Sequence, residues 1–355
     1  MNRKKIFFVH TGLATFVESD IQILSENYLV YPFQYNLRNN FFGKLWSVLS
    51  LFFVSLYRTI ACDVVYVWFG GKHGFFPILF AKLLGKKSIV IVGGYDASYV
   101  PSIQYGVFYH GGFQLWVTKK VYQWVTYICP VDESLVCSTN YYADPSGQGF
   151  KTGILNFMDL PMEKFKVIPT GYDILHSNSN ENHYSSGVIT CAYVTNDQTW
   201  KAKGLDIFCE VARRLPNEKF TIIGLSEPYY KNIGFQIPEN ISVITFGILD
   251  FKQIFFEFRK YKVFLLPSLT EGKSSVLCEA MLCGCIPVVS DVGGMRNSVG
   301  DTGYVIERKD SDLFQSAVQL ALKSTTLESE KVRSRAVSLF SLSTRKQLLS
   351  DILSH

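Results

Sequence analysis

Short apolar runs alternate along the chain with longer stretches in which apolar residues recur every three or four positions. In the first half, the runs at 6–9, 28–33, 64–69 and 88–92 read as strands, and a third residue pattern at 166–168 reads as another. The stretches from a Thr11-Gly12 turn to about Glu26, at 41–60, at 75–84 and at 113–127 read as helices. A polar segment rich in Asn and Ser, 176–187, breaks the rhythm and is expected to be a linker. The rhythm then restarts, with strands at 188–194, 220–223, 241–246, 263–267 and 286–290. Helices are expected at 204–215, 251–261 and 275–283, followed by a terminal helical region. Strands that are apolar throughout are covered on both faces, so each half should be a parallel sheet between helices. The pattern therefore predicts an α/β chain of two doubly wound, Rossmann-like domains facing a central cleft. Their bounds are 1–175 and 188–340, and a final helix at 341–355 returns to the first domain. Ligands in such sheets sit at the carboxyl ends of the strands.

Composition agrees with two packed cores: 355 residues, 48% hydrophobic and 18% charged, exclude a disordered chain. The 28 Phe and 20 Tyr leave two readings open, heavy burial or a surface that touches lipid. A net charge of +5, scattered along the chain, is too small to favour a nucleic-acid partner. The eight cysteines lack paired spacing and a nearby His set, so reduced buried thiols are expected and a metal site is not. The run at 6–9 is too short for the core of a signal peptide, which leads to a cytoplasmic expectation.

The stretch 41–60 has the length of a membrane span, yet Lys44, Ser47, Ser55 and Arg58 gather on one helical side. Phe42, Leu45, Trp46, Leu49, Phe52, Phe53, Leu56 and Ile60 occupy the other. That asymmetry fits a helix with its apolar side on the sheet, or one lying in a membrane interface. Its place between two strands favours the sheet. Trp46 and Lys119-Lys120, set between Trp116 and Trp124, keep peripheral membrane contact as a second expectation.

The segment from Val263 to Ser290 carries the chemistry. It reads as a buried strand, a Pro267-Ser268 turn, a polar loop, a helix, a Gly284 stop and a second buried strand. Glu271 falls in the loop and Glu279 inside the helix. Between them Gly272, Lys273, Ser274 and Ser275 place backbone N–H groups at the positive end of a helix, a natural seat for a pyrophosphate. A carboxylate on the helix can accept two bonds from a ribose diol, and one in the loop can grip sugar hydroxyls.

The series Glu271-x7-Glu279, Ala280-Met281, Gly284, Pro287-Val288-Val289 and Gly293-Gly294 resembles the signature of the retaining family-four glycosyltransferases, the glycosyl transferases of group 1. Lys203-Gly204-Leu205-Asp206 and Val167-Ile-Pro-Thr-Gly-Tyr-Asp173 extend the resemblance upstream. The resemblance implies the GT-B fold and transfer of a sugar from a nucleoside-diphosphate sugar to a hydroxyl of a glycan or lipid-linked acceptor. It implies that Glu279 binds the ribose, Glu271 the transferred sugar and Lys203 the pyrophosphate. The base would lie against Phe246-Gly247-Ile248-Leu249, and Gly12 would let backbone approach the phosphates. No cofactor or metal is expected.

The chain departs from the family at Lys273-Ser274, where an aromatic and a glycine are frequent, and in two further places. The Arg usual before the Lys-Gly pair is missing from Thr195-Asn-Asp-Gln-Thr-Trp-Lys-Ala-Lys203, so Lys201 is the alternative cation. The strand ending at Val92 runs into Gly93-Gly94-Tyr95-Asp96 without the family's His. Asp96 is then the candidate to orient or deprotonate the acceptor hydroxyl, unless it merely caps a turn. Two other functions remain open: a catalytically silent sugar-nucleotide-binding subunit, and a GT-B sugar-nucleotide epimerase.

Overall fold

The computed structural model describes residues 3–38, 40–173 and 186–354, so most of the expected linker lies outside the described residues. The chain divides into two compact units. Unit 1 comprises Met1–Ser138, Lys151–Tyr172 and Leu342–His355; unit 2 comprises Thr139–Phe150 and Asp173–Ser341.

Unit 1 is built on strands β1 (Lys5–His10), β2 (Leu29–Gln34), β3 (Val64–Trp68), β4 (Lys87–Val92) and β5 (Tyr127–Pro130). They form one parallel sheet in the order β2-β1-β3-β4-β5. β3 is buried along its whole length, and β1 and β4 are buried after their first residues, Lys5 and Lys87, as their apolar runs require. Two expectations are corrected here. The helix foreseen at 113–127 is Gly112–Trp124, and Tyr127–Pro130 is a separate strand. No strand forms at 166–168: Phe165 makes an isolated bridge to Ile128, and the chain runs on beside β5 without a ladder.

The helix Phe41–Ala61 packs the opposite way from the expectation. Its buried residues are Gly43, Ser47, Leu51, Ser55 and Thr59, one every fourth position, and they lie on helix Phe75–Leu83 and β1. Small side chains let the backbones approach closely. The apolar side with Phe42, Trp46 and Phe53 is exposed.

Two short strands, β6 (Ser138–Asn140) and β7 (Phe150–Thr152), mark where the chain leaves unit 1 and returns. The intervening residues join unit 2, which corrects their assignment to the first domain. Tyr142 packs on Phe314 there, and its hydroxyl donates to the Pro267 carbonyl at 3.2 Å.

Unit 2 contains β8 (Val188–Val194), β9 (Phe220–Leu225), β10 (Ile241–Thr245), β11 (Val263–Leu266), β12 (Ile286–Ser290) and β13 (Tyr304–Ile306). They form a parallel sheet in the order β10-β9-β8-β11-β12-β13. The order reverses between β8 and β11, so loops after these two strands diverge and open a crevice at their carboxyl ends. In unit 1 the equivalent reversal lies between β1 and β3.

Candidate functional site

The two loops flanking the reversal in unit 2 bring Lys203 and Glu271 together. After β8, Asn196 and Thr199 form a capping box that starts helix Asp197–Ala202. Lys203 ends that helix, and Gly204 turns the chain at a φ of 66°. A Cβ on Gly204 would lie 2.0 Å from the Pro267 carbonyl oxygen, so glycine alone allows this approach to the loop after β11. Across the gap, the Lys203 ammonium donates to Glu271 Oε1 at 2.7 Å, and Ser268 Oγ donates to the same oxygen at 2.9 Å.

The loop that holds Glu271 is fixed from several sides. The Leu269 amide donates to the Ala202 carbonyl at 2.8 Å, and Asn140 Nδ2 donates to the Leu269 carbonyl at 3.0 Å. Ser290, at the end of β12, donates its hydroxyl to the Ser268 carbonyl at 2.5 Å. Gly293 runs directly beneath the loop, where a Cβ would come within 1.8 Å of the Glu271 carbonyl oxygen. The Gly294 amide then donates to the Gly272 carbonyl at 2.8 Å. The Gly293-Gly294 pair thus supports the loop.

Glu279 lies on the helix Ser275–Leu282 that follows, and is only 4% exposed. Among the described residues no group donates a hydrogen bond to its carboxyl. Burial accordingly pushes its pKa up to about 8. The proximity of Glu279 contributes to raising the pKa of Cys191 on β8 to about 12, though burial is the larger cause. A buried carboxyl without a donor is unusual, because the desolvation of such a group is normally offset by hydrogen bonds.

Gly272 and Ser275 are half-buried at the entrance of this helix, and Ser274 is buried there as its N-cap, without a side-chain capping bond. The first-turn amides have no partners within the helix, which leaves them available to an anion. Lys273 is turned elsewhere, its ammonium 4.5 Å from the centre of the Phe340 ring. Ile248 is exposed and Leu249 half-buried beyond β10. Beside them, the Phe246 and Tyr193 rings meet at 4.4 Å and are both exposed. Tyr193 was not singled out by the sequence reading. It projects from an irregularity in β8 between Cys191 and Val194, where strand alternation fails as a guide.

Gly12 and Asp96 belong to unit 1. A Cβ on Gly12 would meet no atom within 4 Å, so the turn after β1 is open to an incoming group. Asp96 is buried at the edge of a cavity, and its carboxylate is held by backbone amides. Its Oδ2 accepts from the Gly70 amide at 2.8 Å, and its Oδ1 from the amides of Gly93 at 3.2 Å and Gly94 at 3.0 Å. These bonds tie the loop after β3 to the loop after β4. Both loops border a cavity of about 330 Å³ that Thr11, Phe69, Lys72, His73 and Thr118 also line. His73 Nε2 lies 2.6 Å from the Trp68 carbonyl oxygen and so carries the proton. Burial pushes its pKa down to about 4, so the ring is neutral. The buried Thr118 hydroxyl has no hydrogen-bond partner.

Two parallel α/β units with these strand orders make the GT-B fold. The comparison with solved structures agrees. Sucrose-phosphate synthase from Thermosynechococcus elongatus matches with a TM-score of 0.74 at 12% identity, covering 99% of this chain and 98% of that one. HepE from Anabaena, solved in complex with UDP and glucose, matches with a TM-score of 0.71 at 15% identity, covering 99% and 100%. Residues 189–324 of this chain match the family model described as glycosyl transferases group 1. An uncharacterized glycosyltransferase from Methanocaldococcus jannaschii is 28% identical over 145 residues, which cover 40% of this chain and 39% of that protein.

Proposed function

We propose that the protein is a retaining glycosyltransferase that moves a hexosyl group from a nucleoside-diphosphate sugar to a hydroxyl of a glycan or lipid-linked acceptor, in synthesis of a surface polysaccharide or glycolipid. The observation that carries this reading is Glu279: a buried carboxyl lacking donors matches a ribose diol, which supplies two. Its neighbours supply the rest of a donor site. The helix Ser275–Leu282 turns its N-terminus toward a pyrophosphate, and Tyr193, Phe246 and Ile248 offer an apolar shelf to a base. HepE, of the same fold, has also been solved with UDP-glucose.

In the free protein Lys203 is paired with Glu271. An arriving diphosphate competes for that ammonium. Glu271, still held by Ser268, then faces the sugar hydroxyls. As the bond from the anomeric carbon to the diphosphate breaks, negative charge builds on the leaving oxygen, and Lys203 with the helix amides stabilises it. The acceptor oxygen bonds to the anomeric carbon, and its proton passes to the leaving phosphate. This scheme assigns charge neutralisation to protein groups and uses no metal. The acceptor hydroxyl would enter by the cavity of unit 1, with Asp96 fixing its walls.

A thermal-shift and calorimetric titration with UDP-, GDP-, ADP- and CMP-sugars, without added metal, tests the proposal. One binder that Glu279→Ala abolishes supports it, and transfer to an added acceptor separates it from a silent binding subunit. Undiminished affinity in Glu279→Ala refutes the placement of the donor.

A further inference from the structure

Helix Phe41–Ala61 is amphipathic with its faces reversed. The small and polar side, Gly43, Ser47, Leu51, Ser55 and Thr59, is packed inward. Outward stand Phe41, Phe42, Leu45, Trp46, Phe53 and Ile60, each at least half exposed, with Phe42 at 80%. A soluble surface does not expose a stripe of this length without a partner.

The stripe continues across two further helices through touching rings. Phe53 meets Phe52 at 5.3 Å, and Phe52 meets Phe76 of helix Phe75–Leu83 at 5.2 Å. Phe76 meets Phe75 at 5.4 Å, and Phe75 reaches Trp116 of helix Gly112–Trp124 at 5.6 Å. Trp116 stacks on the exposed Phe113 at 5.7 Å.

Charge identifies what this face meets. None of the three helices contains Asp or Glu, whereas they carry Lys44, Arg58, Lys82, Lys119 and Lys120. Over residues 28–131 the acids are Asp63 and Asp96. Asp63 accepts from the Lys5 amide at 2.7 Å, and Asp96 is buried among backbone amides. Basic groups also rim the rings: Lys72 lies 5.9 Å from the centre of Phe113, and Lys82 lies 5.7 Å from that of Trp124. At the start of the first helix, Arg38 borders an open cleft of about 500 Å³ walled by Phe42, Leu45, Trp46 and Leu49.

We propose that this three-helix face docks on an anionic phospholipid bilayer, its rings entering the interface and its lysines meeting the headgroups. The inference is independent of the sugar-transfer reading. A second copy of the chain is a poor occupant, because self-association would bring unopposed lysines together. A span is also excluded by the topology. The helix connects β2 and β3, which both pair with β1 in one parallel sheet, and its small side is packed on β1 and helix Phe75–Leu83, so a span would have to draw the sheet itself into the bilayer.

The test is co-sedimentation of the full chain with vesicles of phosphatidylcholine, alone or mixed with phosphatidylglycerol. Binding is expected to the mixed vesicles, at least about tenfold over the neutral ones, and to weaken with salt. Brominated lipid should quench tryptophan fluorescence in the bound state. The triple variant Phe42→Ser, Trp46→Ser, Phe53→Ser should lose about tenfold or more in binding while keeping a wild-type circular-dichroism melt. Replacing Lys72, Lys82, Lys119 and Lys120 by Gln should lose about fivefold per charge on mixed vesicles. No preference for the anionic vesicles overturns the proposal. So does a triple variant that binds them as the parent does, including one that turns a stable dimer into a monomer without changing vesicle binding.

Discussion

Arg345 and Asp20, 325 positions apart, form a two-pronged ion pair in the interior of unit 1. Arg345 Nη2 donates to Asp20 Oδ2 at 2.7 Å, and Nε donates to Oδ1. Every further polar group is matched. The Tyr66 hydroxyl at 2.6 Å and Trp68 Nε1 at 2.8 Å also donate to Asp20, while Arg345 Nη1 donates to the carbonyls of Ile168 and Pro169. The pair anchors helix Leu342–Ser354 to helix Thr15–Asn27.

Breaking one side of such a pair strands the other charge. Arg345→Met is expected to lower stability by about 3–5 kcal/mol, read by urea denaturation. Adding Asp20→Asn should restore part of the loss, because Asn still accepts from Tyr66 and Trp68 but carries no charge. A double variant no more stable than Arg345→Met would show that packing, and not the stranded charge, governs the effect.

Nucleotide affinity should depend on the ionisation of Glu279. Its pKa is about 8 in the free protein, and hydroxyls donating to it favour the ionised form. The bound pKa is therefore lower, binding below pH 8 releases a proton, and affinity climbs with pH until it levels off near 8. The slope should not exceed about tenfold per pH unit. Calorimetry in buffers of different ionisation enthalpy measures the released proton directly. Glu279→Ala should cost about 2–4 kcal/mol of affinity and remove the slope.

The same residue sets a stability trend of opposite sign. Its folded pKa of about 8 stands above the ordinary 4.5, so its contribution to stability is fully present below about pH 4.5. That contribution is lost as the pH rises through 8. Glu279→Gln, which mimics the neutral form, should therefore gain on the parent between these limits, seen as a melting-temperature difference that widens from pH 5 to about 8. A constant difference would mean that the carboxyl is already ionised in the fold.

Lys203→Met should slow transfer by about 10²–10³ while weakening donor binding far less, since charge on the leaving phosphate peaks in the transition state. Comparing kcat with the donor Kd separates the two effects. Freed of its lysine, Glu271 should keep its place through Ser268 and the support of Gly293.

The two sheets were legible because buried parallel strands leave nearly continuous apolar runs: Val188–Val194 and Ile286–Ser290 lie where the pattern puts them. The loop and helix around Glu271 and Glu279 were legible for a related reason. Glycines that must pass close to backbone, Gly204 and Gly293, punctuate the sequence at fixed places. Three features were hidden. Helix Phe41–Ala61 shows its asymmetry but not which side faces in, because small residues pack as well as large ones when backbones are close. Asp96 could be read either as a base or as a turn cap, because its donors are amides, which every residue has. Residues 139–150 carry no period linking them to unit 2, and polar contacts such as Asn140 with the Leu269 carbonyl hold them there.

The anchoring of helix Leu342–Ser354 has a bearing on the order of synthesis. Unit 2 ends at Ser341, so every residue it needs precedes this helix in translation. Unit 1 begins first and closes last: until Arg345 emerges, Asp20, Tyr66 and Trp68 form a polar hollow with no cation. The core of unit 1 thus stays incomplete until the last helix docks, while its reversed helix is already displayed.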